Sequence, residues 1–156
     1  MTKTNAMRLL SAAGIDFRTA EYPYSEDDLS GVHAAEALGM PPEMVFKTLV
    51  ARGDKTGPLV FCIPVAENLE LRKAASVSGN KRVEMIHVRE LLGLTGYIRG
   101  GCSPVGMKKK FPTYIDETAI LFDEIAVSAG MRGEQIILSP QALADYLEAE
   151  FVELTV

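Results

Sequence analysis

The spacing of apolar residues changes along the chain. Some short segments have the spacing typical of helices, and others have the spacing typical of strands. Apolar residues three and four positions apart predict helices at residues 5–13, 31–38, 68–75, 87–92 and from 140 onward. Alternating or short apolar runs predict strands at residues 15–22, 45–52, 59–65, 114–115, 119–122, 125–128, 135–138 and 151–156. The irregular order of these elements predicts a mixed α/β (α+β-like) fold. We expect a curled central mixed sheet or partial barrel, with helices packed outside.

Local signals fix several of these boundaries. Ser30 and Ser139 are predicted N-caps, the latter followed by Pro140 at the first helical position. Asn68 is predicted to cap the helix that continues to residue 75. The loop at residues 53–58 predicts that the strands on either side pair as a hairpin. A Rossmann winding is disfavoured because no strand is followed by GxGxxG.

The length of 156 residues fits a single domain covering residues 1–156. No apolar run approaches the ~20 residues needed to span a bilayer, and the N-terminus lacks the features of a secretory signal. We therefore expect a cytoplasmic protein. Two cysteines and two histidines, widely spread, give no credible metal cluster.

Lys47 is the most informative single residue. In the predicted strand it shares a face with Val45, Leu49 and Ala51, and is the one charge on that face. A lysine near a strand end often buries its stem and leaves its ammonium in water. The alternative is a lysine that lines a pocket, where it could bind a phosphate or carbonyl, or act as a base.

A glycine-rich loop follows at residues 96–107, with sequence GYIRGGCSPVGM. Its glycines would let the backbone approach a ligand and direct N–H groups at it, as an oxyanion requires. An ordinary turn would need fewer glycines. Cys102 is interpreted first as a wall of this loop and only second as a nucleophile, because no histidine partner is evident.

A third candidate segment is residues 127–133, VSAGMRG. Ser128 ends a predicted strand before a glycine-bounded turn. It could be a nucleophile, a hydrogen-bonding group for substrate, or a turn residue, and the last is the most common case. A Ser-His-Asp hydrolase is disfavoured because GxSxG and recognisable triad motifs are absent.

Taken together, FKTL at residues 46–49, the glycine loop with Lys108 and Lys109, and SAGMRG at residues 128–133 resemble the YbaK/EbsC family. Its members are free-standing relatives of the editing domain of bacterial prolyl-tRNA synthetases. The resemblance covers essentially the whole chain and is greatest for the branch that deacylates Cys-tRNA(Pro). Ala129 and Gln135 depart from the pattern: glycine is more usual at the first position, and some relatives carry an acidic residue at the second.

The resemblance implies an aminoacyl-tRNA deacylase, a hydrolase or lyase-like enzyme of translation, without metal or organic cofactor. It assigns Lys47 as the essential lysine. Catalysis would also use the Gly100 and Gly101 amides, which would bind the carbonyl oxygen. Substrate would be bound by Tyr22, Thr48, Ser128 and Arg132. The cysteine thiol of the substrate would attack its own carbonyl and leave as a thiolactone.

The implied partners are mischarged tRNA(Pro) and prolyl-tRNA synthetase. The net charge of −5 predicts weak binding of isolated tRNA, so a synthetase could present the substrate. Two alternatives remain open. The protein could deacylate another amino acid on tRNA(Pro), such as alanine, or it could be a non-catalytic module that binds an aminoacyl or nucleotide ligand.

Overall fold

A computed structural model describes residues 3–156 of the protein. Within this range the chain forms five α-helices and eight β-strands. The helices are α1 (Asn5–Ala12), α2 (Gly31–Leu38), α3 (Leu71–Ser78), α4 (Val88–Thr95) and α5 (Pro140–Leu147). The strands are β1 (Arg18–Glu21), β2 (Phe46–Gly53), β3 (Gly57–Pro64), β4 (Val83–Met85), β5 (Thr113–Asp116), β6 (Ile125–Ser128), β7 (Glu134–Leu138) and β8 (Glu150–Val152). Short 3₁₀ helices occupy Pro42–Met44 and Glu117–Leu121.

The strands form two sheets that adjoin at one point. A five-stranded mixed sheet has the order β4-β2-β3-β5-β8, and a three-stranded antiparallel sheet has the order β1-β7-β6. A single parallel bridge between Val45 and Ala126 joins the start of β2 to β6. The predicted mixed α/β fold is confirmed, with the strands curled into two adjoining sheets that do not close into a barrel.

The main core lies between the two sheets. Phe46, Val50 and Ile115 of the larger sheet pack in one buried cluster with Val127 and Ile136 of the smaller one. Helices α1 and α5 close this cluster at its sides. On the other face of the larger sheet a second cluster contains Ala51, Leu59, Phe61, Ile63 and, from α3, Ala74. Residues 59–63 of β3 are therefore buried on both faces, as their unbroken apolar run predicts.

Side-chain caps set the helix starts where the sequence predicts them. The Ser30 hydroxyl accepts a hydrogen bond from the His33 amide at 3.2 Å, and the Ser139 hydroxyl accepts one from the Ala142 amide at 3.2 Å. Each bond satisfies an amide that lacks a partner inside the helix. All five described helices have eight residues, and no helix in residues 3–156 could span a bilayer.

Several predicted elements are wrong in detail. Residues 119–121 belong to a 3₁₀ helix that Phe122 ends, and they do not form a strand, because the Asp116 side chain accepts from the Thr118 amide and turns the chain. The predicted N-cap Asn68 is replaced by Glu70, whose carboxylate accepts from the Arg72 amide at 3.1 Å. The strands predicted at residues 15–22 and 151–156 shorten to β1 and β8, and β4 was not predicted.

Candidate active site

A cavity of about 420 Å³ lies where β2 and the smaller sheet separate. One wall is the edge of β2, and the facing wall comes from β6 and β7. The N-terminus of α2, the segment from β4 into α4, and the loop from Arg99 to Cys102 close the remaining sides. The cavity therefore collects segments that are far apart in sequence around one stretch of β2.

The edge of β2 that faces the cavity is open. β2 pairs with β3 along its whole length, but with β4 only from Ala51 to Gly53. The Val50 carbonyl accepts from the Ile86 amide at 3.3 Å on this edge. Because backbone groups two residues apart point to the same side of a strand, the amide and carbonyl of Thr48 also face the cavity. A ligand could pair with them as another strand would.

Lys47 lines this cavity. Its side chain is half-buried, and burial lowers the pKa of its ammonium group, while the nearby Glu67 carboxylate opposes that shift. The lowered pKa means that the positive charge is less well solvated than on the surface. An anionic or strongly polar ligand group would restore that solvation, as expected for a lysine that lines a pocket.

In the glycine loop, Gly100 lines the cavity and Gly101 does not. Gly100 lines the cavity with a φ of 86°, a conformation that favours glycine, and a Cβ there would lie 3.2 Å from a Leu29 methyl carbon. Within residues 3–156 the Gly100 amide has no hydrogen-bond partner. The Gly101 amide already donates to the Ile98 carbonyl at 3.0 Å. Of the two glycines, only Gly100 offers a free amide to a carbonyl oxygen.

Gly101 and Arg132 support the loop from behind, and neither is among the residues that line the cavity. A Cβ on Gly101 would lie 3.1 Å from the Arg132 amide nitrogen, so the two segments are in close contact. The Arg132 side chain donates from Nε to the Arg99 carbonyl at 2.9 Å. Arg132 is thus positioned to hold the loop, and its predicted contact with substrate stays a prediction.

The smaller sheet contributes a polar wall. Ser128 at the end of β6 is directly opposite Gln135 of β7, and both side chains line the cavity. Tyr22, just after β1, lines it as well, and its amide donates to the Gly133 carbonyl at 2.9 Å. The Ser128 hydroxyl accepts from the Gly130 amide at 3.2 Å. Neither histidine is among the lining residues, so Ser128 has no imidazole base there.

Of the seven residues to which the resemblance assigns a role in catalysis or substrate binding, the cavity brings together five: Tyr22, Lys47, Thr48, Gly100 and Ser128. Sequence reasoning missed the N-terminus of α2 and the apolar side formed by Met85, Ile86 and Val88. The close contact of α2 with Val65, where a Cβ on Gly31 would lie 2.3 Å from a methyl carbon, is visible only in the folded chain. No sequence pattern indicated the apolar side of the cavity, because β4 is only three residues long.

Cys102 also lines the cavity, and burial raises the pKa of its thiol to about 12. Such a thiol is almost entirely protonated near neutral pH, and the thiolate is the nucleophilic form. The interpretation of Cys102 as a wall of the loop is therefore favoured over a nucleophile. Among residues 3–156, no group of three or more His, Cys, Asp or Glu side chains could hold a metal ion. The absence of a cofactor stays a prediction.

A sequence model of the aminoacyl-tRNA editing domain matches residues 30–146, three quarters of the chain and almost all of the cavity. The chain belongs to the aminoacyl-tRNA editing domain family. The matched range contains the open edge of β2, the glycine loop and the Ser128 wall.

One full-length relative and two solved structures add detail. EbsC of Enterococcus faecalis, provisionally assigned as a Cys-tRNA(Pro)/Cys-tRNA(Cys) deacylase, is 50% identical over 98% of this chain and 93% of its own. A crystal structure provisionally assigned as a trans-editing enzyme for prolyl-tRNA synthetase has 26% identity and a TM-score of 0.84 over 97% of this chain and 96% of its own. The hypothetical protein APE2540 has the same fold, with 21% identity and a TM-score of 0.86 over 96% and 97%.

Proposed function

We propose that this protein removes cysteine from mischarged Cys-tRNA(Pro). The observation that carries the proposal is the cavity that combines half-buried Lys47 with the free Gly100 amide, in a chain half identical to a protein assigned as such a deacylase. The reaction cleaves an activated ester. It needs a placed nucleophile and donors for the carbonyl oxygen, and it does not need a strong protein nucleophile.

The residues of the cavity divide these tasks. The Gly100 amide donates to the carbonyl oxygen as negative charge develops on it. Lys47 binds a phosphate or hydroxyl of the terminal adenosine, and the backbone of Thr48 pairs with the extended aminoacyl end. Tyr22 and Ser128 orient the amino acid. Gly101 and Arg132 act indirectly, because they hold the loop that carries Gly100.

The nucleophile in this proposal is the substrate's own thiol. Its sulfur forms a bond to the ester carbonyl carbon as the S–H proton is lost. The C–O bond to the ribose then breaks, the ribose oxygen takes up a proton, and cysteine leaves as a thiolactone. This route fits a cavity in which Cys102 is a poor nucleophile and Ser128 has no imidazole base. Product analysis distinguishes it from attack by water, which releases free cysteine.

The test is a deacylation assay with tRNA(Pro) charged with cysteine, alanine or proline, and with Cys-tRNA(Cys). We expect fastest turnover of Cys-tRNA(Pro), and a loss of about 10- to 100-fold in kcat/KM for Lys47→Ala, the effect of losing a hydrogen bond from a charged donor to the substrate. Lys55→Ala, at the exposed turn between β2 and β3, is the control with the same change in charge. Full activity of Lys47→Ala would overturn the assignment, and binding without turnover would favour a non-catalytic module.

The proposal also covers the partner protein and the cellular compartment. We propose that prolyl-tRNA synthetase presents the mischarged tRNA and that both act in the cytoplasm, where tRNA is charged. Adding the synthetase should then raise kcat/KM at low tRNA concentration without changing the rate at saturation. Equal rates with and without the synthetase would contradict this partnership and leave the deacylase activity itself intact.

A further inference from the structure

A second cleft, of about 380 Å³, lies beside the C-terminal half of the glycine loop. Pro104, Gly106 and Met107 form one part of its wall, and residues of α1 and α5, among them Leu9 and Tyr146, form another. None of the described residues lines both this cleft and the candidate active site. Its volume is that of a small-ligand site, yet the deacylation proposed above gives it no role.

The glycine loop connects the second cleft to the candidate active site. Cys102 lines the active-site cavity, and Pro104, two residues later, lines the second cleft. Two residues of extended chain span at most about 7 Å between Cα atoms, so the two walls lie close together. A long substrate that has its reacting end in the active-site cavity could therefore reach the second cleft within a few nucleotides of RNA.

This part of the loop carries backbone donors that the fold leaves free. Among residues 3–156, the amides of Gly106 and Met107 have no hydrogen-bond partner. The loop around them is held in place, because the Tyr97 hydroxyl donates to the Val105 carbonyl at 2.5 Å. Gly106 has a φ of 81°, and a Cβ there would lie 2.9 Å from the Tyr97 hydroxyl oxygen. Free amides on a fixed, glycine-containing loop are typical donors to a phosphate oxygen.

Two lysines supply positive charge at the cleft. Lys109 and Lys110 line it, and none of its described lining residues is acidic. Lys109 is exposed and has no ion pair within residues 3–156. The Lys110 Nζ atom lies 2.6 Å from a carboxylate oxygen of Glu148, with both side chains largely exposed. Because an exposed ion pair contributes little stability, Lys110 can exchange this partner for a phosphate.

Two aromatic rings complete the lining. Phe111 and Tyr146 are half-buried and line the cleft, and in the described part of the chain neither ring stacks on another. Bases of single-stranded RNA stack on such rings while lysines bind the phosphates beside them. An apolar protein segment would leave the lysines and the free amides without partners. The combination therefore favours RNA as the occupant.

We propose that this cleft binds a nucleotide in the single-stranded 3′ end of the substrate tRNA, upstream of the aminoacylated adenosine. Lys109, Lys110 and the free loop amides bind its phosphate, and its base stacks on Tyr146. The inference rests on the proposed function, and it names a second part of the substrate that the protein holds, outside the cavity for the reacting ester. It predicts that only substrates with these nucleotides depend on the two lysines.

The test compares two substrates and three proteins, after subtraction of the spontaneous hydrolysis of each ester. The substrates are Cys-tRNA(Pro) and cysteinyl-adenosine, which has the reacting ester but no preceding nucleotide. The proteins are the wild type, the double variant Lys109→Ala/Lys110→Ala, and the control Lys55→Ala/Lys81→Ala. The control loses the same charge at exposed positions that line neither cavity. The binding constant for uncharged tRNA(Pro) is measured as a function of salt for each protein.

We expect Lys109→Ala/Lys110→Ala to raise KM for Cys-tRNA(Pro) about tenfold and to leave kcat within about twofold, since the lysines bind and do not react. On cysteinyl-adenosine its kcat/KM should stay within about twofold of the wild type. The slope of log K against log salt should become shallower by about 0.7 for each phosphate contact that is lost. The control should change none of these quantities by more than about twofold.

Several outcomes would overturn the inference. If the lysine variant loses equally on both esters, or on neither, while the wild type turns over Cys-tRNA(Pro), then the cleft does not bind the tRNA and only this inference fails. An unchanged salt slope, or a loss seen only when prolyl-tRNA synthetase is present, would also overturn it, the latter by making the cleft a protein-binding site.

Failure of the proposed function gives a different result. If the wild type turns over neither ester, the deacylase activity fails and the inference fails with it. If cysteinyl-adenosine is turned over too slowly to measure, the salt slope for tRNA(Pro) decides. A loss confined to Cys-tRNA(Pro), with a shallower slope, supports both the deacylase function and the second cleft.

Discussion

At the scale of single residues, chemistry in this protein is decided by what surrounds each group. Two thiols illustrate this. Cys62 lies in the centre of β3 and Cys102 in the glycine loop, yet burial raises the pKa of both to about 12. Sequence position alone left a nucleophilic role for Cys102 open as the second interpretation. The structure makes both thiols similarly inert.

Native protein should therefore react slowly with iodoacetamide. With a pKa of about 12, only roughly 10⁻⁴ of each thiol is thiolate at pH 8, against about a quarter for an ordinary cysteine with a pKa near 8.5. We expect both cysteines to resist alkylation in native buffer and to react fully in urea, as followed by mass spectrometry. Rapid native labelling of Cys102 would contradict the wall assignment and reopen a nucleophilic role.

Gly133 is a second residue whose surroundings set its role. Its φ is 85°, and a Cβ there would lie 2.8 Å from the Tyr22 carbonyl oxygen. Gly14 has a similar φ of 74° with nothing within 4 Å, so it is a matched control. Urea unfolding should show that Gly133→Ala loses about 1–2 kcal/mol more stability than Gly14→Ala, since only the former adds a steric clash. Equal losses would mean that the contact with Tyr22 relaxes freely.

At the scale of elements, sequence predicts best where one side chain acts on its own neighbours. The caps Ser30 and Ser139 were readable because they bond amides three positions away. Asn68 was an equally good cap by type, but tertiary contacts place the start of α3 later, and the Glu70 amide donates to the Leu154 carbonyl of a distant segment. β4 was not predictable because a three-residue strand exists only through its pairing with β2.

Asn80 shows how a distant contact stabilises an element. Its side chain is nearly buried, and Oδ1 accepts from the amides of Lys55 and Thr56 at 2.8 and 3.1 Å, which ties the β2–β3 turn to the end of α3. Asn80→Ala should lower the free energy of unfolding by about 1–3 kcal/mol, because these amides lose their acceptor. The exposed Asn68→Ala is the control and should change it by less than about 0.5 kcal/mol, measured by urea unfolding.

At the scale of the whole molecule, the candidate site depends on how the two sheets meet. Lys47, the glycine loop and Ser128 could each be singled out from sequence, since each violates a local expectation of apolar strands or ordinary turns. Their assembly around one cavity could not, because it follows from the Val45–Ala126 bridge between two sheets. The different roles of Gly100 and Gly101 also needed the hydrogen bonds of the folded loop.

The net charge of −5 belongs to this scale too, and it limits how isolated tRNA is bound. We expect weak binding, with a slope of log K against log salt no steeper than about −3, because few phosphates can be neutralised. Fluorescence anisotropy with labelled tRNA(Pro) between 50 and 200 mM salt measures this slope. Tight binding that persists at 200 mM salt would contradict the expectation and remove the need for a synthetase to present the tRNA.

The open edge of β2 has a consequence beyond the ligand. Unpaired strand edges on a protein's surface are templates on which other chains can aggregate. Here the bare stretch around Thr48 lies inside a cavity walled by α2, the glycine loop and the smaller sheet, and these walls limit the access of another protein's strand. The same walls that leave room for the end of a single tRNA chain should therefore lower the risk that this unpaired edge starts aggregation.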